Sequence, residues 1–324
     1  MVQRFPSSSP IVSVIIPLYN KELTVARAIH SVLRQSVSDF EIIVVNDGST
    51  DKSYDAAVAI HDQRIHVISQ ENVGPGGARN AGAAFSKAPL LAFLDADDEW
   101  AEQFLENGIA ALMDWPECIA YACGYDSQSF RAQRPNKVAA FATQPGPSEV
   151  NLNSTGAALK MRVDALHSSC VVIRRSVFFR ANGFYDRNRC VYGEDSFLWA
   201  QILFDGRIFW DPCELVIFHV EDSDLGYAKK YRRSARPLVL HKASLLSRFS
   251  ESKKEAFQRM IVEFSLKDIE TLLISGRICE AIFLRISNKN YSVSLFLRDI
   301  KFYAGSAFRR YKSKYTLRRL GSKN

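Results

Sequence analysis

The chain has 324 residues, 47% apolar and 24% charged, proportions that exclude a wholly disordered polypeptide and can supply a substantial core. Its formal charge of +7 is uneven: residues 221–324 hold 23 Lys/Arg against 10 Asp/Glu, whereas 1–220 hold 19 against 25. The six cysteines (Cys118, Cys123, Cys170, Cys190, Cys213 and Cys279) lack the paired spacing of a zinc site and read as reduced, mostly buried small residues. No run approaches the roughly 18 to 20 apolar residues of a membrane span, and the opening stretch does not read as a signal peptide, so a soluble cytoplasmic chain is expected.

In chain order, IVSVII (11–16) is a continuous β-branched run, as expected of a strand buried on both faces, and Pro17 ends it. A helical stripe follows at 22–35 (Val25, Ala28, Ile29, Val32, Leu33), then a second strand at 40–45. The alternation continues with helix 51–62, strand 64–69, helix 76–86, strand 90–94, helix 100–113 and a strand at 118–123. This order predicts a mostly parallel, right-handed sheet with helices on both faces and ligands at the carboxyl ends of its strands. Polar residues gather at those ends: Tyr19, Asn20 and Glu22, then Asn46, Asp47, Gly48 and Ser49, then Asp95, Asp97 and Asp98. Residues 124–168 read as a long surface excursion with Pro135, Pro145, Gly146 and Pro147. Regular patterns return with a strand at 170–175, a turn at 182–186, a helix at 194–205 and a strand at 215–220. From 232 the chain reads as helical, with apolar faces in 255–273 (Phe257, Met260, Ile261, Phe264, Ile269, Leu272, Leu273) and in 293–308 (Phe296, Ile300, Tyr303, Ala307). Beyond 300, Lys301, Arg309, Arg310, Lys312, Lys314, Arg318, Arg319 and Lys323 occur without an acid.

In FLDADDEW (93–100) an apolar strand runs straight into three carboxylates. Asp95 and Asp97, two apart, can approach one cation, and carboxylate oxygens suit Mg²⁺ or Mn²⁺. The alternative is helix capping by Asp98. Three clustered acids repel without a counter-charge, which favours a metal, and a loosely held metal generally shares phosphate oxygens, here those of a nucleoside diphosphate. VVNDGST (44–50) offers groups for a base or ribose; ENVGPGGARNAG (71–82) offers Gly74, Gly76, Gly77, Arg79 and Asn80, although the glycines can also serve only to shape a turn. The first strand is followed by PLYNKE rather than GxGxxG, which argues against a dinucleotide dehydrogenase. In YGEDSFLW (192–199), Glu194 and Asp195 open a helix, either as dipole-favoured acids or as a general base for a poorly nucleophilic sugar hydroxyl. His219 closes an apolar strand, as a metal or phosphate contact or as an ordinary hydrogen-bonded histidine.

Together, VSVIIPLYNKE (12–22), EIIVVNDGSTD (41–51), ENVGPGGARNAG (71–82), LAFLDADDEW (91–100), NGFYD (182–186) and YGEDSFLW (192–199) resemble a family 2 glycosyltransferase of the GT-A fold, over roughly residues 10–220. The resemblance implies a GT-A catalytic domain at 1–220 (donor half about 10–100, acceptor half about 101–220) with a mostly parallel central sheet, followed by a basic helical region at 221–324. It implies inverting transfer of one sugar from a nucleoside diphosphate sugar, expected to be a UDP-sugar, with Mn²⁺ or Mg²⁺. The expected acceptor is a hydroxyl of a glycan or lipid-linked glycan in bacterial surface polysaccharide synthesis.

Carried onto this chain, the resemblance places Pro17, Tyr19, Glu22 and Asp47 around the nucleotide base and Arg79 near the nucleotide. Asp95 and its neighbour Ala96 meet ribose or the cation's surroundings; Asp97 is the principal metal ligand, joined by Asp95 and His219. Asp195 is the catalytic base, with Glu194 and Tyr185 on the acceptor side. Gln201 stands where many relatives carry arginine, and the QxxRW element of the processive branch is missing, so a single addition per encounter is expected. The competing classes are a nucleotidyltransferase, which would want a glycine-rich basic loop after the first strand, and a non-catalytic nucleotide- or glycan-binding protein. The basic end suits peripheral contact with anionic membrane, or a solvated or partner-covered face; specific nucleic-acid binding is not expected, and self-association is left open.

Overall fold

In the computed structural model the described residues are 9–126, 136–219, 222 and 235–287; the helix expected at 293–308 and the basic residues beyond 300 lie outside them. The chain runs β1 (Val12–Leu18), α1 (Val25–Leu33), β2 (Phe40–Asp47), α2 (Ser53–Val58), β3 (Ile65–Gln70), α3 (Pro75–Phe85), β4 (Leu90–Phe93), β5 (Asp98–Trp100), α4 (Phe104–Asp114) and β6 (Cys118–Asp126). It continues through β7 (Gly146–Ser148), α5 (Gly156–Ala165), β8 (Val171–Arg174), α6 (Arg175–Arg180), α7 (Glu194–Asp205) and β9 (Arg207–Phe218). Four helices follow: α8 (Pro237–Leu240), α9 (Lys242–Leu246), α10 (Glu251–Ile274) and α11 (Ile278–Ser287).

One nine-stranded sheet carries the order β3-β2-β1-β4-β8-β6-β9-β5, with β7 also paired to β9. The first four strands are parallel, as the alternation of strand and helix predicts. Beyond β4 the sheet is mixed, because β8 runs antiparallel to both its neighbours and β5 and β7 run antiparallel to β9. Side-chain alternation divides β1 between two cores: Val12, Val14, Ile16 and Leu18 join α1 and α4 on one face, while Ile15 joins α3, α7 and α10 on the other.

The second core does not stop at residue 220. Every apolar residue expected to face inward from 255–273 is buried in α10, in one cluster with Trp199, Leu203 and Phe204 of α7. Phe204 meets Phe257 edge to face at 5.3 Å. Truncating Phe257 to Ala therefore removes a fully buried ring from the shared core, an expected loss of about 3–5 kcal/mol. Urea unfolding followed by tryptophan fluorescence and by circular dichroism should move together; a change confined to one probe would separate α10 from the sheet.

Three elements differ from the sequence expectation. Helix 100–113 begins only at Phe104, because Asp98–Trp100 pairs with β9 as a short strand. The Trp100 ring stacks on Phe104 at 4.1 Å and its Nε1–H donates to Ser169 O at 2.7 Å, which anchors that strand. Strand β9 starts at Arg207 rather than 215, interrupted by irregular pairing between Cys123 and Tyr125 of its neighbour. The expected excursion contains α5, whose Thr155 Oγ1 caps it by accepting from Ala158 N–H at 3.2 Å. All six cysteines are free; Cys118, Cys123 and Cys170 are buried, whereas Cys213 and Cys279 are exposed. Among the described residues no helix is long and apolar enough to cross a membrane.

Candidate active site

Parallel register places the carboxyl ends of β1, β2 and β4 side by side, with Leu18 opposite Asn46 and Ile15 opposite Phe93. The loops leaving these ends bring Asp47, Arg79 and Asp95 to one edge. Asp47 is buried and accepts from Gln70 Nε2–H (2.7 Å), Val73 N–H (3.0 Å) and Gly74 N–H (2.9 Å). It thus holds the start of the glycine-rich loop. Gly76, in the first turn of α3, permits a close approach: a Cβ there would lie 2.4 Å from the carbonyl oxygen of Tyr185. This contact brings α3 against the segment that leads to Glu194. Pro17 lies at the end of β1, Ala96 is buried, and Tyr19 is 47% exposed. Glu22 accepts from Lys52 N–H at 2.8 Å and so ties the first loop to the second.

The centre of the site is Arg79. Its side chain is buried; Nη2–H donates to Asp95 Oδ1 at 2.6 Å and Nη1–H to Glu194 Oε1 at 3.2 Å. Burial alone would weaken its hold on the proton, but Asp95 and Glu194 more than reverse this, so it is a permanent cation. Burial likewise pushes Asp95 up, and Arg79, helped by Lys21, outweighs it and holds the carboxyl below its ordinary value. Glu194 behaves oppositely. Burial and then Asp195 push it up to about 7, since Arg79 is shared with Asp95 at the shorter distance.

A carboxyl held above its ordinary value of 4.5 binds its proton more tightly in the native state. Its stabilising contribution is full below that value and lost as pH rises through about 7. The urea midpoint of the wild type should therefore fall more steeply between pH 4.5 and 7 than that of Glu194→Gln; parallel profiles would contradict this placement.

The acidic cluster is not left to repel itself. Lys21 Nζ lies 3.0 Å from Asp97 Oδ2, Arg27 Nη2–H donates to Asp97 O at 2.7 Å, and Arg79 holds Asp95. The chain's own cations thus supply counter-charge that the sequence argument assigned to a metal. At Asp98 they fall short: burial, Asp95 and Asp97 push it well up despite the hydrogen bond from Ser169 Oγ–H at 2.6 Å and the pull of Arg27.

Asp95, Asp98 and His167 offer ligand atoms that all lie within 4.8 Å of one another. The Nδ1 of His167 is shut off from solvent with no hydrogen-bond partner, and burial holds this imidazole below its ordinary value, hence neutral. Two carboxylates and a neutral imidazole with an unused nitrogen fit a divalent cation such as Mn²⁺ or Mg²⁺. Of the ligands expected from sequence, Asp95 lies in this set, Asp97 faces Lys21, and His219 Nε2 lies 3.4 Å from Glu99 Oε2. Sequence reasoning passed over His167; its one signal is its place immediately before the buried SSCVV segment, which packs against β4 and β6 and is hydrogen-bonded to β5 through Ser169.

Asp195 is half-buried at the start of α7, and its Oδ1 accepts from Ser196 N–H at 2.6 Å. Its electrostatic influence reaches Arg79 and His167, so it shares one field with the acidic cluster. Tyr185 N–H donates to Glu194 O at 3.3 Å, and its hydroxyl pairs with His241 Nε2 at 3.0 Å. Gln201 is buried and meets Arg248 of the C-terminal region through its amide oxygen.

Residues 13–180 match the family described as Glycosyl transferase family 2. EpsJ of Bacillus subtilis, an uncharacterised glycosyltransferase, is 32% identical over 196 residues, 58% of this chain and 54% of its own length. WfgD of Escherichia coli, a UDP-Glc:alpha-D-GlcNAc-diphosphoundecaprenol beta-1,3-glucosyltransferase, is 36% identical over 104 residues, 32% of this chain and 41% of its own. The stretches matched in the first three curated relatives span 31% to 65% of their lengths. In fold, the chain is similar to S. aureus TarS in complex with UDP-GlcNAc, at a TM-score of 0.62 and 18% identity over 85% of this chain and 83% of that one. The family match, which covers more than half of the chain, establishes that it belongs to glycosyl transferase family 2.

Proposed function

We propose that the chain transfers one sugar, with inversion, from a nucleoside diphosphate sugar to a hydroxyl of a glycan or lipid-linked glycan in the assembly of a bacterial surface polysaccharide. The observation that carries this reading is the bridge made by Arg79, which joins Asp95 at the end of the donor half to Glu194 beside Asp195. Base framing falls to Pro17, Tyr19, Glu22 and Asp47, and a UDP-sugar is the expected donor, in keeping with the substrate in WfgD's name.

In this reading Asp195 accepts the proton of the incoming hydroxyl as the new bond forms. Glu194, with its backbone carbonyl tied to Tyr185, orients the loop on the acceptor side. Arg79 keeps Asp95 ionised and aligned. Asp95, Asp98 and His167 would hold Mn²⁺ or Mg²⁺, with Asp97 and His219 bordering them; the ion, when bound, neutralises charge on the departing diphosphate. The basic residues beyond 300 would keep the protein on the anionic inner face of the cytoplasmic membrane, close to a lipid-linked acceptor.

Incubation of the full chain with Mn²⁺, a panel of UDP-, GDP- and dTDP-sugars and lipid-linked acceptors tests the reading. Nucleotide release with one donor, accelerated by an acceptor, is expected. Nucleotide affinity without turnover on any acceptor would point instead to a binding protein, and no affinity at all would remove the reading.

A further inference from the structure

We propose that Arg236, which lies beyond the catalytic sheet, is a positioning residue for Asp195, so that the working catalytic unit extends into the C-terminal helices. This rests on the role proposed for Asp195. Arg236 is buried between α7 and α10. Its backbone N–H and its Nε–H both donate to the carboxylate of Asp268, each at 2.9 Å, and the Asp268 side chain is completely buried in α10. From that fixed base Nη2–H donates to the hydroxyl of Tyr192, and the guanidinium lies over the Tyr192 ring at 5.0 Å and the Phe264 ring at 4.7 Å.

Tyr192 and Gly193 lead directly into Glu194 and Asp195. Gly193 has φ +77°, the left-handed region that suits glycine, and a Cβ there would lie 2.5 Å from the Cβ of Arg236. The turn that aims Asp195 is therefore shaped around Arg236. No side chain caps the start of α7 in the usual way, so the entry angle of this helix depends on such outside contacts.

A second contact lies close by in sequence. His241, at the end of α8, stacks on Tyr185 at 5.4 Å and 27° and hydrogen-bonds its hydroxyl, while Tyr185 N–H holds the Glu194 carbonyl. The segment from Tyr185 to Asp195 is thus held at both ends by residues 236–241. A buried arginine suits this task because its planar guanidinium, held on Asp268 through Nε and on Tyr192 through Nη2, fixes direction as well as distance, which an ammonium cannot.

The test uses full-length Arg236→Lys, Tyr192→Phe and the double variant. Readouts are kcat and KM for transfer, UDP affinity, thermal midpoint, and hydrogen exchange of 190–196. Arg236→Lys keeps a charge for Asp268 and is expected to fold, to bind UDP as the wild type does, and to lose on the order of 10- to 100-fold in kcat with faster exchange at 190–196. Tyr192→Phe should lose less, and adding it to Arg236→Lys should cost little more, since both remove one contact. A folded Arg236→Lys with wild-type kcat, or a loss that only follows the folded fraction, overturns the proposal and leaves the glycosyltransferase reading intact. A wild type without donor turnover removes that reading, and this proposal falls with it.

Discussion

Asp195→Asn should cut sugar transfer by orders of magnitude while leaving nucleotide affinity unchanged. The substitution is close to isosteric, and the amide oxygen can still accept from Ser196 N–H, the bond that sets the plane of the Asp195 carboxylate. What is lost is the ability to take a proton. General-base contributions of this kind are about 10²- to 10⁴-fold in rate, so kcat should fall by that range with KM for the donor little altered. UDP titration by calorimetry and a transfer assay on the same preparation separate the two quantities. Equal loss of affinity and turnover would mean that Asp195 acts in donor binding, and unchanged turnover would exclude it as the base.

The second large effect is expected at Arg79. Its guanidinium is the shared partner of two carboxylates that sequence separates by 16 and 115 positions. Arg79→Gln leaves Asp95 and Glu194 without the cation they share in a largely buried site. Breaking a buried pair on one side costs about 3–5 kcal/mol, because the remaining charge keeps its desolvation penalty. The direction with pH follows from the same cause. At low pH both carboxyls protonate and the loss shrinks, so the destabilisation should be larger at pH 8 than at pH 5. Arg79→Lys can reach only one carboxylate at a time and should fall between. Urea unfolding at the two pH values measures this; a pH-independent loss would show that the cost is one of packing against Phe184, whose ring lies 5.1 Å from the guanidinium, and not of charge.

The parts legible from sequence are those whose signal is local and periodic. The β-branched run of β1 and the apolar stripe of α10 announce their burial, since both patterns repeat within one element. Motif residues at strand ends are legible for the same reason, and parallel register then brings Asp47 and Asp95 to one edge. What sequence did not deliver is pairing across distance. Lys21 sits inside a motif that was read for its neighbours, yet its work is to face Asp97, 76 positions away. Trp100 reads as the start of helix 100–113 because three residues are too few to declare a strand; the pairing of Asp98–Trp100 with β9 is tertiary. Arg236 falls in the stretch that reads as basic and, from 232, helical. One signal was available: Asp268 follows Phe264 by four residues and precedes Leu272 by four, so a carboxylate occupies the apolar stripe of α10 and requires a buried cation.

The central claim is that the nucleotide and its cation meet at the edge where Asp47, Arg79 and Asp95 converge, within reach of Asp195. Diffraction from crystals soaked with UDP and Mn²⁺, recorded with manganese anomalous signal, tests it directly. The account predicts an anomalous peak among Asp95, Asp98 and His167, with uridine density against Asp47 and the loop after β1. A manganese peak or ordered uridine elsewhere on the chain, with this edge bare, would contradict it.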